Sequence, residues 1–165
     1  MLTNREFCCI YDNNHNLLRV VTYKAHDSQI LNLKKLENEL NVNVLVVDDN
    51  NINRLLLNKV LTKWGAHADF AENGLQAVEK ITNNHNYDVV LMDVYMPEMG
   101  GIEATQLIRS KQEAYFQQLP IIALTASMLS SERNEIEDAG MNDFILKPFE
   151  PKSLFEKLSA YQKVK

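Results

Sequence analysis

Apolar residues follow two textures along the chain, and the change falls near residues 41–43. Beyond it, Val44-Leu45-Val46-Val47 is an unbroken apolar run that stops at Asp48-Asp49. Such a run reads as a strand buried on both faces, with acids at its carboxyl end. Over residues 53–64 helical spacing takes over, through Ile52, Leu55, Leu56, Val60, Leu61 and Trp64, with Asn50 or Asn51 to cap it and Gly65 to close it. The alternation then repeats. Residues 67–71 read as a weaker strand, 74–81 as a helix, and 88–92 as a strongly apolar strand ending at Asp93. Residues 95–101 are a loop by their Pro and Gly content, and 102–112 resume helical spacing through Ile102, Leu107 and Ile108. Pro120 introduces Ile121-Ile122-Ala123-Leu124, which ends at the hydroxyl of Thr125. Ser130 or Ser131 can cap a helix that Gly140 terminates; residues 143–146 form a last short strand ending at Lys147-Pro148, and Pro151 opens a helix over 152–161.

Five strands alternating with five helices predict a doubly wound α/β fold with a five-stranded parallel sheet. Parallel neighbours require crossovers of a dozen or more residues, and these cover both faces. The ligand site of such a sheet lies outside the carboxyl ends of the strands, where strand order reverses.

The front of the chain is different. Residues 8–23 alternate as two strands around a turn at 11–16. Ile30, Leu31, Leu33, Leu36 and Leu40, set among Lys34, Lys35, Glu37 and Glu39, give an amphipathic helix whose seam is too narrow for its own core. The expected division is residues 1–43, an N-terminal β-hairpin and helix extension, and residues 44–165, the α/β domain. A hairpin alone is marginal in water, so its open edge and apolar seam favour pairing with a second copy as a homodimer. Cys8 and Cys9 are neighbours, unable to close a loop between distant segments, which argues against a secreted disulfide scaffold. The four histidines, His15, His26, His67 and His85, show no metal spacing.

Composition narrows the function classes. The 165 residues carry 17 Lys and Arg against 22 Asp and Glu, a net charge of −5, with no basic run to grip nucleic acid. No apolar stretch approaches the roughly 18 residues of a membrane span. The start of the chain meets Glu6 before any signal-peptide core could form, so a cytoplasmic protein is expected.

The strand ends carry the chemistry. Asp48-Asp49, Asp93, Thr125 and Lys147 each follow a separate apolar run, so the topology brings three acids, a hydroxyl and an amine together. At about 4 Å and an effective dielectric near 20, each like-charged pair is unfavourable by roughly 4 kcal/mol. Lys147 offers one compensating charge and Mg²⁺ two, from an ion that accepts carboxylates, waters and backbone carbonyls. A pocket with Mg²⁺, Lys and Asp suits phosphoryl transfer, with Asp93 as the nucleophile. Thr125 and Lys147 can then each serve a phosphoryl oxygen.

The runs Val44 to Asn50 with Asn53-Arg54, Ala71-Glu72-Asn73-Gly74, Leu91-Met92-Asp93-Val94-Tyr95-Met96-Pro97-Glu98-Met99, Ile122-Ala123-Leu124-Thr125-Ala126 and Ala139-Gly140-Met141-Asn142-Asp143-Phe144 with Lys147-Pro148 resemble the receiver domain of two-component response regulators. The receivers of hybrid histidine kinases are the most similar. The resemblance spans residues 44–161 and implies a flavodoxin-like receiver fold. It implies that Asp93 takes a phosphoryl group from the phosphohistidine of a sensor kinase or a histidine phosphotransfer protein. It also implies that Asp49 binds Mg²⁺ directly, that Asp48 assists directly or through water, and that the Tyr95 carbonyl adds a ligand. Thr125 and Phe144 match the family's switch pair, and Lys147 its conserved-role lysine, with a cis bond to Pro148. Small Ala126 leaves room for the phosphoryl group, and Tyr95 and Ser127 flank the site where they tune hydrolysis. Gly100 departs from a frequent Asp, which reads as a change in loop stiffness. The front segment is similar to the tail of a PAS sensory domain with its signalling helix.

The resemblance thus implies a phosphoacceptor signalling module rather than an enzyme, one that assists its own phosphorylation and dephosphorylation and forms part of a hybrid kinase or stands alone. With the chain ending soon after its last helix, no DNA-binding output is expected, and output passes through protein contacts. The rival is a Mg²⁺-dependent phosphatase with an Asp nucleophile, resembling haloacid dehalogenases. Those enzymes want a second acid two positions after the nucleophile, where this chain has Tyr95. A receiver used only for binding is a third reading, against which all five polar residues are present. The Gly-Lys-Ser/Thr loop of P-loop NTPases and the Gly-rich turn of dinucleotide-binding folds are both missing.

Overall fold

The computed structural model describes residues 5–11, 17–24, 39–127 and 129–162. The chain divides into two compact units, residues 1–39 and 40–165. In the first, β1 (Arg5–Tyr11) pairs antiparallel with β2 (Leu17–Lys24), with a register irregularity between Ile10 and Tyr11. Cys8 and Cys9 are consecutive residues of β1, opposite Val21 and Val20. The turn predicted at 11–16 falls largely outside the described residues, as does the front amphipathic helix over 30–38 with the PAS-like signalling segment.

The second unit runs β3 (Asn43–Val47), α1 (Asn51–Lys63), β4 (His67–Ala71), α2 (Gly74–Asn83), β5 (Val89–Asp93), α3 (Gly101–Arg109), α4 (Ala114–Gln118), β6 (Ile121–Thr125), α5 (Ser130–Asp138), β7 (Asp143–Leu146) and α6 (Pro151–Ser159). All strand pairs are parallel, in the order β4-β3-β5-β6-β7. The chain leaves β3 for β4 on one side and returns to β5 on the other. The reversal therefore lies between the ends of β3 and β5, where Asp48 and Asp93 sit.

Strand alternation sorts the core into two layers. Leu45, Val47, Val90, Met92, Ile121 and Ala123 pack with Ala77 and Ile81 of α2, Ala104 and Ile108 of α3, Phe116 of α4 and Ile136 of α5. Val44, Val46, Val89, Leu91, Ile122 and Leu124 pack with Leu57 and Leu61 of α1 and Leu154 and Leu158 of α6. Trp64 closes that second layer edge-on to Phe155, with ring centroids 5.1 Å apart. Leu40, which the spacing had placed on the seam of the front helix, is buried in this layer instead, its N–H donating to the Trp64 carbonyl at 2.6 Å.

Four local expectations change. Only the second half of the α1 face that the spacing selects packs inward: Leu61 and Trp64 are buried and Val60 packs beside them, joined by Leu57, whereas Ile52, Leu55 and Leu56 are 74%, 52% and 50% exposed. A helix rich in apolar residues all round leaves its inner face ambiguous until the sheet chooses. Similarly, Leu107 is exposed, and α3 buries Ala104, Thr105 and Ile108. Six helices, not five, cover the sheet, because the expected long helix ends at Arg109 and α4 follows. One turn of helix carries too little periodicity to be read; α4 is anchored by buried Phe116 and by the Arg109 guanidinium, which donates to the carbonyls of Phe116 and of Leu119, the latter at 2.8 Å. Ser130 and Ser131 lie inside α5, whose N-cap is Leu129 with no side-chain cap bond. The other helix signals hold: Asn50 and Asn73 cap α1 and α2, and Gly65 and Gly140 (φ 76° and 87°) take the left-handed backbone that ends α1 and α5.

Candidate functional site

The polar residues of the site stand at strand ends: Asp48, Asp49, Asp93 and Thr125 at those of buried interior strands, and Lys147 at that of the edge strand β7. The apolar runs of β3, β5 and β6 are held in the sheet interior, so the first polar residue after each one emerges at the same rim. The Asp48, Asp49 and Asp93 carboxylates each offer an oxygen within 4.8 Å of the others. Asp48 is fully buried and Asp93 is 8% exposed, whereas Asp49 faces solvent. The Lys147 ammonium bridges the two buried acids, 2.8 Å from Asp48 Oδ2 and 2.6 Å from Asp93 Oδ2. Its position is fixed from the backbone as well, since the Lys147 N–H donates to the Thr125 carbonyl at 2.7 Å. The Lys147–Pro148 bond is cis.

The acids differ in how they are supported. Asp48 accepts from the Asn50 N–H at 2.9 Å and from the Asn53 amide at 3.1 Å. Arg54 braces the same turn, donating to the Asp48 and Asp49 carbonyls at 2.8 and 3.0 Å and pairing with Glu72 at 2.6 Å. Asp93 has Lys147 and a longer bond from the Tyr95 N–H at 3.4 Å. Burial pushes the Asp93 carboxyl above the usual carboxylate range, and Lys147 offsets this only in part. Burial acts on the Lys147 ammonium in the opposite sense, but hydrogen bonds and charge from Asp48 and Asp93 outweigh it and raise its pKa.

The backbone under Asp93 leaves no slack. A Cβ on Gly101 would stand 2.2 Å from the Asp93 carbonyl oxygen, so only glycine lets α3 start against the strand that carries this acid. Glu98, in the loop between them, adopts a φ of 66°, and the Asn73 amide donates to its carboxylate at 2.6 Å.

Two of the remaining predicted residues, Thr125 and Ser127, meet at a group that the sequence does not single out, Glu132. Thr125 donates its hydroxyl to the Glu132 carboxylate at 2.6 Å. The Ser127 hydroxyl donates to the other oxygen of Glu132. Glu132 is 7% exposed, and the Ser127 and Thr125 bonds hold its carboxyl below the usual range. Phe144 is half-buried, with Arg133 and Lys157 at 5.9 and 5.5 Å from its ring centroid. Ala126 and Pro148 are exposed at the rim. The sequence signal for Glu132 is an acid in the first turn of a helix, which reads as a partner of the helix dipole.

Chemically, the rim presents hard oxygen donors carrying three negative charges against one lysine. That set fits a small divalent cation such as Mg²⁺, which takes carboxylate, carbonyl and water oxygens. It also presents one carboxylate, Asp93, flanked by a cation, and beside it, after β5, a cleft lined by Asp49, Val94, Tyr95, Met96, Pro97 and Gly100.

Residues 44–159 match the family model described as the response regulator receiver domain. A probable histidine kinase of Oryza sativa subsp. japonica is 34% identical over 140 residues, covering 74% of this chain and 14% of the kinase. The signal transduction histidine-protein kinase BarA of Escherichia coli is 36% identical over 126 residues, covering 76% of this chain and 13% of the kinase. The chain thus spans about one seventh of the length of these relatives. Among solved structures, the receiver domain of a Pseudomonas aeruginosa sensor histidine kinase, with a magnesium ion in its active site cleft, aligns with a TM-score of 0.67 at 34% identity, over 73% of this chain and 97% of that one. A Saccharomyces cerevisiae receiver domain, crystallised with a histidine phosphotransfer signalling protein, aligns with a TM-score of 0.68 at 29% identity, over 75% of this chain and 90% of that one.

Proposed function

The chain belongs to the response regulator receiver family of two-component phosphorelays, and from that premise we propose that Asp93 is its phosphoacceptor. The observation that carries this reading is the lysine bridge: Lys147 holds Asp93 at the cleft while sharing its charge with fully buried Asp48. An oxygen of Asp93 attacks the phosphorus of a phosphohistidine. The phosphorus–nitrogen bond breaks, its electron pair leaves with the imidazole, and an aspartyl phosphate remains. Asp48, Asp49 and Asp93, with the Tyr95 carbonyl, are the residues that would hold Mg²⁺. The bound ion supplies positive charge for the phosphoryl oxygens. Lys147 pairs with one of those oxygens and Thr125 donates to another, with Phe144 following the hydroxyl. Ala126 leaves room for the group, Pro148 flanks the site next to the lysine, and Tyr95 and Ser127 flank the acyl phosphate, where they tune attack by water. In this sense the domain assists its own phosphorylation and dephosphorylation.

The partner is a sensor histidine kinase or a histidine phosphotransfer protein. Ile52, Leu55 and Leu56, exposed on the first turns of α1 just beyond Asp49, supply the apolar surface on which such a donor seats beside the acids. Similarity to hybrid kinases many times longer supports a place within such a kinase, with the cytoplasm as its compartment. The expected boundary at 43/44 moves back: the receiver unit is taken as starting at Leu40, because Leu40 and Val42 are buried in its core, and the residues before it as a separate extension, while the family match itself covers 44–159. Among the described residues no helix is long and apolar enough to cross a membrane.

A small phosphodonor with Mg²⁺ is expected to add one acid-stable, base-labile phosphoryl group to the chain, and Asp93→Asn to abolish it. Undiminished labelling of the variant would move the acceptor elsewhere.

A further inference from the structure

Glu132 is a buried carboxylate that the phosphoryl chemistry above does not use, yet it collects two hydroxyls, one on each oxygen. Both come from the end of β6 and the loop that follows it, Thr125 on Oε1 and Ser127 on Oε2. An ionised carboxylate only accepts, whereas a threonine hydroxyl has one proton to give. That proton points to Glu132 Oε1 at 2.6 Å, with the Ser127 carbonyl a longer alternative at 3.1 Å. While it does so, Thr125 cannot donate to anything bound at Asp93.

We propose that Glu132 is a positioning residue that withholds the Thr125 hydroxyl from the Asp93 pocket, so that uptake of a phosphoryl group has to break the Thr125–Glu132 bond. The proposal rests on the reading of Asp93 as phosphoacceptor. Its second element is the next residue along α5: the Arg133 guanidinium lies 5.9 Å from the centroid of Phe144, within cation–π range. One turn of α5 therefore touches both residues assigned to the switch, Thr125 through Glu132 and Phe144 through Arg133. Freeing the hydroxyl releases the same turn that rests on the ring, which couples the pocket to the α5 surface.

The test uses the full chain with Mg²⁺ and beryllofluoride, a phosphoryl mimic that binds a carboxylate without covalent chemistry, titrated by calorimetry. Glu132→Ala is expected to bind beryllofluoride about tenfold more tightly than wild type, the scale of one hydrogen bond to a charged group. Isosteric Glu132→Gln, which keeps the shape of the turn, should gain about threefold, because a neutral acceptor holds the hydroxyl less firmly. In a Thr125→Ala background neither substitution should change the affinity, since no hydroxyl remains to be withheld. That dependence separates positioning from simple removal of a nearby negative charge, which would tighten binding in both backgrounds. Unchanged or weaker binding by both Glu132 variants, or an equal gain in the Thr125→Ala background, overturns the positioning role while leaving Asp93 as acceptor. Failure of wild type to bind the mimic overturns the acceptor reading and this proposal with it.

Discussion

Among the aspartates of this domain that pair with a lysine, Asp69 and Asp93 show the same chemistry with opposite results. On the edge strand β4, Asp69 has Lys80 to itself at 2.9 Å and receives the Tyr87 hydroxyl at 2.6 Å and the Phe70 N–H at 2.8 Å. Its burial is slight, and these donors outweigh it, so its carboxyl falls below the usual range. Asp93 is more deeply buried and shares Lys147 with Asp48, and its carboxyl rises. A salt bridge alone therefore does not define an ionised, settled acid; the ratio of donors to buried charges does. The first pair is complete as it stands. With Asp49 beside it, the second is short of positive charge by two, the amount a divalent cation supplies, which makes it a place where binding and chemistry can occur.

The largest contrast between the two regions is functional. Asp93→Asn should remove all phosphoryl uptake from a labelled small donor, whereas Asp69→Asn should leave uptake unchanged; loss in both would mean that the edge pair is part of the machinery. Next comes stability without Mg²⁺. Lys147→Met leaves two buried carboxylates without their cation and should lower the unfolding free energy by about 3–5 kcal/mol in urea denaturation. Lys80→Met breaks a solvent-screened pair and should lower it by about 0–1 kcal/mol. Equal losses would erase the distinction. A third measurement adds the ion: Mg²⁺ at about 100 times its dissociation constant should stabilise the wild type by about 2.7 kcal/mol, and chelation should reverse it. Asp49→Asn should reduce that gain, while Asp69→Asn should not.

The smallest effect sharpens the edge pair itself. Burial, and then the hydrogen bond to Asp69, push the Tyr87 phenol up to about 12. A folded-state pKa above the unfolded value of about 10 means that the contribution is complete below pH 10 and is lost as pH rises towards 12. Asp69 has the opposite sign: its contribution is present above the unfolded value of about 3.9 and is lost as pH falls through the lowered folded value. Tyr87→Phe should flatten the alkaline limb of the stability profile and leave beryllofluoride binding unchanged.

Legibility in the sequence follows the same division between local and shared causes. Asp48, Asp93 and Thr125 could be read because buried apolar strands run straight into them, and Lys147 because it ends the last short strand, and a doubly wound sheet gathers strand ends at one rim. The faces of α1 could not, since Ile52, Leu55, Leu56 and Leu57 are all apolar and only the sheet decides that Leu57 goes inside. Arg109 reads as an ordinary basic end to α3, yet its guanidinium donates to the carbonyls of Phe116, Leu119 and Gly140 and so ties α4 to the turn after α5. Glu132 was hidden for a similar reason. It stands seven positions after Thr125, but one ends β6 and the other lies in α5, so the loop between them, and not a helix or strand period, decides that they meet. Local pattern thus delivered the groups that react, and tertiary contact determines the groups that restrain them.

Trp64, wedged against Phe155 beneath α1 and α6, has a practical consequence as the chain's single tryptophan. It is a lamp fixed in one layer of the molecule, while Phe144 packs with the opposite layer, and Thr125 and Glu132 meet at the rim. Its emission should therefore follow loss of the whole fold and stay dark to events at Asp93. Unfolding and switching become optically separable, and a fluorophore placed on α5 would complete a two-colour readout of the same chain.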